Sequence, residues 1–98
     1  MSAILEDFIA FLGPRVTGQL QGTARLEIAG EGAVMLDTTG ARAAIGDEAA
    51  DVTLAATEQV FRSILSSEQN PAAALMMGKL KVKGSPQRAL KVSAILIA

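Results

Sequence analysis

The chain has 98 residues, of which 50% are hydrophobic and 19% charged, and its formal net charge is −1. This length and composition predict one globular domain over residues 1–98 and exclude a disordered chain. No apolar run approaches the roughly 18 residues that span a bilayer, and early acidic residues argue against a signal peptide. Without cysteine, the expected location is the cytoplasm. Because the sequence starts at Met1, we expect the domain to stand alone.

The residue types that are missing argue against catalysis. The sequence contains no histidine and no cysteine, so it lacks the usual general base at neutral pH, a thiol nucleophile and soft metal ligands. No acidic loop of the calcium-binding type is present either. The hydroxyls of Thr57 and Ser85 are better explained as helix caps than as nucleophiles. We therefore expect a protein that is not an enzyme and that needs no cofactor and no metal.

The first half of the chain predicts one helix followed by strands. Apolar residues at helical spacing indicate a helix that is capped by Ser2 and ends at Gly13-Pro14. Residues 23–29 alternate between apolar and polar side chains, as a half-buried strand does. Further strands are predicted over residues 33–38, 41–45 and 51–55. Because the connections between them are short, these four strands suggest an antiparallel meander.

The second half changes to helical periodicity. Thr57 is a cap for an amphipathic helix, and Asn70-Pro71 begins a short helix over residues 72–77. Residues 79–83 alternate strictly between lysine and apolar side chains and predict a fifth strand. Ser85-Pro86 begins a last helix. The predicted order of elements is α-ββββ-α-α-β-α.

The basic residues are concentrated near the C-terminus. All ten acidic residues lie at or before Glu68, and only cations follow. One interpretation is a solvated strand face beside a solvated helix face. The other is contact with anionic membrane head groups, a phosphorylated ligand or an acidic partner. Nucleic acid is not expected, since this segment has no aromatic side chain to stack on bases. The cations concerned are Lys79, Lys81, Lys83, Arg88 and Lys91.

Residues 50–96 carry a series of short motifs in a defined order and spacing. The series resembles the sterol carrier protein 2 family, whereas the first fifty residues fit that family only in outline. The motifs are Ala50-Asp51-Val52-Thr53, Phe61 within a capped helix, Asn70-Pro71, Met77-Gly78-Lys79-Leu80-Lys81-Val82-Lys83-Gly84, and Ala89-Leu90-Lys91-Val92.

The resemblance implies an α+β fold in which helices cover one face of a five-stranded, mostly antiparallel sheet and enclose an apolar tunnel. Members of this family bind sterols, fatty acids, acyl-CoA thioesters and other lipids without a cofactor. Six residues match positions at or near the tunnel, and three apolar neighbours complete the candidate ligand-binding set. The set is Phe61, Leu65, Leu75, Met76, Met77, Leu80, Leu90, Val92 and Ile95.

Two positions depart from the pattern of that family. Met77 stands where glutamine is frequent, so the polar end of a ligand loses a hydrogen-bond partner. Arg88 stands where an apolar residue is usual, which narrows or caps the tunnel mouth. Both departures weigh against sterol itself as the ligand.

Two functions are compatible with these residues. The apolar set could be ordinary core, but the scarcity of aromatic residues and the adjacent, flexible Met76-Met77 favour a cavity. The first hypothesis is non-enzymatic binding and transfer of a fatty acyl, acyl-CoA, sterol-like or isoprenoid lipid. The alternative is a scaffold or accessory subunit that uses the exposed face of its last helix to bind a partner or its own copy. The expected state is monomer or homodimer.

Overall fold

The computed structural model describes residues 3–97 of the chain, and side chains over residues 3–96. Ser2, the predicted cap of the first helix, lies outside the described residues. The elements are α1 (Ala3–Val16), β1 (Ala24–Ile28), β2 (Gly32–Asp37), β3 (Gly40–Ala43), β4 (Val52–Ala56), α2 (Glu58–Leu65), α3 (Pro71–Met76), β5 (Lys81–Gly84) and α4 (Pro86–Ile97).

The five strands form one mixed sheet in the order β3-β2-β1-β4-β5. β1 pairs antiparallel with β2 and parallel with β4, so that Ala24 lies opposite both Leu36 and Val52. The other two pairings are antiparallel. The predicted five-stranded, mostly antiparallel α+β sheet is confirmed. The predicted meander is wrong, because β4 pairs with β1 and not with β3.

The connection from β3 to β4 explains this topology. The backbone N–H of Ala44 donates to the carbonyl of Ala33 over 2.9 Å, and Arg25 Nη1 donates to the carbonyl of Glu48 over 3.2 Å. The Arg42 guanidinium also pairs with the Glu48 carboxylate. These contacts hold the β3–β4 connection on the sheet face opposite the helices, where it crosses β2 and β1. Met35 lies on this face and is 2% exposed. The short segment 46–48 therefore belongs to a crossover and not to a hairpin.

All four helices contribute to the core on the other face of the sheet. β1 alternates in burial as its sequence predicts, with Ala24, Leu26 and Ile28 inward. α1 contributes four apolar side chains to this core, which is more than each of the other helices does. This arrangement confirms that the helices cover one face. The buried helical side chains are Leu5, Phe8, Leu12, Val16, Phe61, Ile64, Ala74, Ala89, Val92 and Leu96.

The predicted caps of α2 and α3 are confirmed, whereas the predicted end of α1 is wrong. The backbone N–H of Val60 donates to Thr57 Oγ1 over 3.2 Å, and that of Ala72 donates to Asn70 Oδ1 over 2.8 Å. α1 continues through Pro14 to Val16, which is fully buried. A proline in the last turn removes only one helical hydrogen bond there, so burial of Val16 outweighs its cost.

Candidate functional site

The nine predicted ligand contacts fall into three environments. Phe61, Leu80 and Val92 lie in the core, each at most 3% exposed. A second group is half-buried, and the third lies on the surface. The half-buried group is Leu65, Leu75 and Ile95, and the surface group is Met76, Met77 and Leu90. The structure does not bring all nine side chains together around one cavity, and their contact with a ligand stays a prediction.

The exposure of Met76 and Met77 follows from their positions at the end of α3. Pro71 and Ala74 are the buried residues of this six-residue helix. Met76 follows Ala74 by two positions, or about 200° around the helix axis, and therefore faces away from the sheet. It is 89% exposed, and Met77, the C-cap, is 57% exposed.

An open groove of about 1120 Å³ lies between α1 and α2. Ligand sites in proteins commonly measure about 300–1,000 Å³, so the groove is large enough for a small molecule. Phe11, which is 44% exposed, and the half-buried Leu65 provide its bulky apolar surface, and the buried Phe8 forms the floor behind them. The sequence-based set contains only one of its residues, Leu65. The signal that could have identified the groove is the Phe8–Phe11 pair, three residues apart on an amphipathic helix.

The back of the groove is continuous with the core. The rings of Phe8 and Phe61 meet edge to face, with their centroids 6.3 Å apart. Phe61 is 2% exposed and does not line the groove, so it supports the groove from behind through Phe8.

Charged side chains surround the apolar surface of the groove. Arg62 Nε donates to Glu58 Oε2 over 2.5 Å, and Arg62 Nη2 lies 3.7 Å from Asp7 Oδ2. The same guanidinium lies over the Phe8 ring, 5.1 Å from its centroid. Glu68 contributes a third carboxylate. The groove can therefore hold an apolar chain with a polar end among these charges.

A smaller groove of about 390 Å³ lies between the end of α1 and α4. Pro14, Arg15 and Ile95 are among its lining residues, so one predicted ligand contact belongs to it. Arg15 Nη1 donates to the carbonyl of Leu96 over 2.8 Å, which ties α1 to the end of α4. The Arg15 guanidinium also lies 4.3 Å from the centroid of Phe11.

The polar groups of the described interior are used structurally. Ser93, the buried polar residue of α4, donates from Oγ to the carbonyl of Ala89 over 2.9 Å. Within residues 3–96, every buried side-chain nitrogen or oxygen has a hydrogen-bond partner. The same part of the chain contains no group of three or more acidic, histidine or cysteine side chains that could hold a metal ion.

The basic C-terminal segment divides into two kinds of cation. Arg88 Nη2 donates to the carbonyl of Gln21 over 3.2 Å and lies 3.7 Å from Asp51 Oδ2, so it links α4 to the start of β4. The lysines form no ion pair with any side chain that the structure describes. Because Leu80 and Val82 face the helices, Lys81 and Lys83 lie on the opposite face of the sheet. The four exposed lysines are Lys79, Lys81, Lys83 and Lys91.

The mixed five-stranded sheet with helices on one face places this protein in the α+β class. Its sequence matches the SCP-2 sterol transfer family over residues 13–97, and the chain belongs to that family. Among helices in the described range, none is long and apolar enough to cross a membrane.

The chain is also similar to individual proteins of known sequence or structure. Human stomatin-like protein 1 is 38% identical over 72 residues, which cover 69% of this chain and 18% of that protein. The chain thus spans less than a fifth of the length of this relative. The solution structure of sterol carrier protein 2 from Aedes aegypti, in complex with palmitate, superposes with a TM-score of 0.75 at 17% identity. The superposition covers 98% of this chain and 96% of that one.

A third similar protein is the UbiJ-SCP2 ubiquinone synthesis protein, with a TM-score of 0.61 and 20% identity. The superposition covers 95% of this chain and 89% of that one. At these identities the two solved structures establish the fold that this chain shares with them.

Proposed function

We propose that this protein binds and transfers a single-chain lipid without catalysis, and that the α1–α2 groove holds the acyl or isoprenoid chain. The observation that carries the proposal is the apolar surface of this groove, where the partly exposed Phe11 lies beside Phe8 and Leu65. Membership of the SCP-2 sterol transfer family supports it. So does the Aedes aegypti structure of the same fold, which contains palmitate.

The energetics of burial allow this function. Burying a methylene group contributes about 0.8 kcal/mol, so a sixteen-carbon chain gains at most about 13 kcal/mol. Lost ligand freedom costs several kcal/mol of this gain. Micromolar binding needs about 8 kcal/mol, so partial burial in an open groove is sufficient.

The predicted ligand contacts are retained in the proposal with different roles. Leu65 lines the groove and would touch the chain, and Phe61 would support it through Phe8. The other seven predicted contacts lie on α3, on α4 and in the turn between α3 and β5, and would extend the site into an internal tunnel. They are Leu75, Met76, Met77, Leu80, Leu90, Val92 and Ile95.

The Phe11→Ala variant tests the site. Removing this ring should lower the affinity for a fluorescent fatty acid about tenfold, since it deletes apolar surface that the ligand covers. Ile45→Ala is the matched control, because Ile45 is 78% exposed and lies outside the groove. If both variants bind the probe as the unmodified protein does, the groove is not the lipid site. Native mass spectrometry of the purified protein, followed by lipid extraction, identifies the ligand class.

Transfer would occur at anionic membrane surfaces in the cytoplasm. The four exposed lysines support this proposal, because no described acidic side chain neutralises them. Arg88 contributes less than predicted, since it is held by Gln21 and Asp51. The scaffold hypothesis has weaker support. The large apolar side chain that α4 exposes in the described range is Leu90, and a single leucine does not form an interface.

A further inference from the structure

We infer, on the basis of the proposed lipid-transfer function, that Met76 and Met77 insert into the surface of an anionic bilayer when the protein docks on it. Met76 is 89% exposed and Met77 is 57% exposed. Within residues 3–96, no other two large exposed apolar side chains are adjacent in sequence. Single exposed apolar residues are normal on a protein surface, whereas a projecting pair forms a patch of the kind that interaction sites use. With Gly78 and Lys79 the pair forms the α3 tip, a run of four exposed residues.

The backbone of the α3 tip is fixed by hydrogen bonds. The N–H groups of Lys79 and Leu80 both donate to the carbonyl of the buried Ala74, over 2.9 and 3.1 Å. Gly78 has a φ of 76°, which glycine adopts without strain at the end of a helix. Leu80, directly after the tip, is buried in the core. The two methionines therefore project from an ordered turn, so that little backbone entropy is lost when they insert.

The cations next to the α3 tip complement an anionic surface. Lys79 and Lys81 follow Met77 by two and four positions, and neither forms an ion pair within the described part of the chain. Since a chain spans at most about 3.6 Å per residue, the Cα atom of Lys79 lies within about 7 Å of that of Met77. An apolar projection beside lysines suits the interface of an anionic bilayer, where hydrocarbon lies beneath phosphate groups.

The acids near this end of the molecule do not neutralise the two lysines. Glu27 shares the register of Lys81 two strands away, and Glu58 begins α2 two residues after β4. Each of these acids is ion-paired with an arginine, over 3.3 Å and 2.5 Å respectively. Glu68 precedes the other end of α3, whose six residues span about 9 Å. The end of α3 that carries the methionines is therefore its basic end.

The two methionines also belong to the predicted ligand contacts. Because both are exposed, they would lie at the mouth of the proposed tunnel and not along its wall. Insertion of the α3 tip would then bring this mouth against the acyl chains of the bilayer. A lipid could move between bilayer and protein without crossing water, which is the step that costs a free acyl chain most.

Tryptophan fluorescence tests the insertion directly, because the sequence contains no tryptophan. In Met77→Trp, vesicles of phosphatidylglycerol and phosphatidylcholine with brominated acyl chains should quench the emission and shift it to shorter wavelength. Ile45→Trp is the matched control, since Ile45 is also exposed but follows β3 at the opposite edge of the sheet. Its emission should not change. Quenching of both variants to the same extent, or of neither, overturns the inference.

Co-sedimentation with the same vesicles, unbrominated, measures how much the pair contributes. Met76→Gln/Met77→Gln should weaken vesicle binding about tenfold, since it removes two apolar side chains from the bilayer contact. Ile45→Gln should leave vesicle binding unchanged. The temperature of unfolding should stay the same in the double variant, because both methionines are exposed.

Fluorescent fatty acid binding without vesicles separates this inference from the proposed function. The double variant Met76→Gln/Met77→Gln should retain it. If fatty acid binding is lost and vesicle binding is unchanged, the pair belongs to the ligand site and the inference is overturned while the function stands. If the double variant changes only self-association of the protein, the pair is an interface between copies and the inference is overturned. If the unmodified protein inserts its α3 tip but binds no fatty acid, the lipid-binding function is overturned and the membrane contact stands.

Discussion

The ring of Phe8 on α1 meets the ring of Phe61 on α2 edge to face, with 6.3 Å between centroids and 75° between planes. Aromatic pairs favour this geometry, because the positive edge of one ring lies against the negative face of the other. The contact joins the first helix to the second across the back of the groove. Phe61 therefore affects the groove through packing, whereas Phe11 would affect it through direct contact with a ligand.

This division of roles predicts different effects of two phenylalanine substitutions. Phe61→Ala should lower the free energy of unfolding by about 3–5 kcal/mol, because it leaves a cavity in the core. Phe11→Ala should lower it by less than about 2 kcal/mol, because its ring is 44% exposed. Urea denaturation of both variants measures these differences. Equal losses of stability would contradict the assignment of Phe61 to the core and Phe11 to the surface.

A substitution of Leu90 tests whether this residue contacts the ligand or only packs in the core. Because this side chain is 43% exposed, Leu90→Ala should cost less than the roughly 2–5 kcal/mol of a buried leucine. If Leu90 contacts the ligand, the variant should lower lipid affinity more than it lowers stability. Fluorescent fatty acid binding and thermal unfolding, measured side by side, provide the comparison. A large loss of stability with unchanged affinity would remove Leu90 from the binding site.

Most of the fold was predictable from local chemistry. Thr57 and Asn70 are caps that act on neighbouring backbone N–H groups, so three or four residues of sequence suffice to identify them. The alternation of β1 likewise reports its buried face directly. Strand partners are different, since the parallel pairing of β1 with β4 depends on a crossover between distant residues. No motif in the sequence around Glu48 predicts that Arg25 donates a hydrogen bond to its carbonyl.

The candidate site was less predictable than the fold. Family resemblance pointed to residues 61–95, because the recognisable motifs lie in that half of the chain. The groove has its second wall on α1, where Phe11 follows the same apolar periodicity as the buried Phe8. Periodicity identifies a helix face but not which of its rings a neighbouring helix will cover. Leu65 belongs both to the sequence-based set and to the groove, because it lies on α2, whose cap and apolar periodicity are clear in the sequence.

The hydrogen bonds of Glu48 make stability depend on pH in the acidic range. The pKa of Glu48 falls from 4.5 to about 2, first because Arg42 donates to its carboxylate and then because the backbone N–H of Ile45 does. A lowered folded pKa stabilises the fold above pH 4.5, and this contribution disappears as the pH falls toward 2. The free energy of unfolding should therefore decrease across that interval, as followed by urea denaturation at each pH.

Two variants test whether Glu48 causes this pH dependence of stability. Glu48→Gln should make the decrease less steep, because no carboxylate remains to be protonated at that position. Asp37 contributes in the same direction, since hydrogen bonds from the Thr39 hydroxyl and backbone lower its pKa. Asp47→Asn is the matched control, because it removes an exposed acid of the same loop and leaves the Arg42–Glu48 pair in place. An unchanged slope in Glu48→Gln would exclude the Arg42–Glu48 pair as the cause.

The exposed lysines predict that lipid transfer depends on salt. Transfer of a fluorescent fatty acid to anionic vesicles should slow as salt rises from about 0.1 M to about 1 M, because the screening length falls from about 10 Å to about 3 Å. Each lysine near an anionic surface contributes about 1 kcal/mol, so Lys81→Gln/Lys83→Gln should weaken vesicle binding more than tenfold. Arg88→Gln should have a smaller effect on vesicle binding, since Asp51 already neutralises Arg88. Transfer that is indifferent to salt would remove the lysines from the mechanism. Equal effects of Lys81→Gln alone and Arg88→Gln, each of which removes one positive charge, would show that net charge, and not this surface, drives membrane contact.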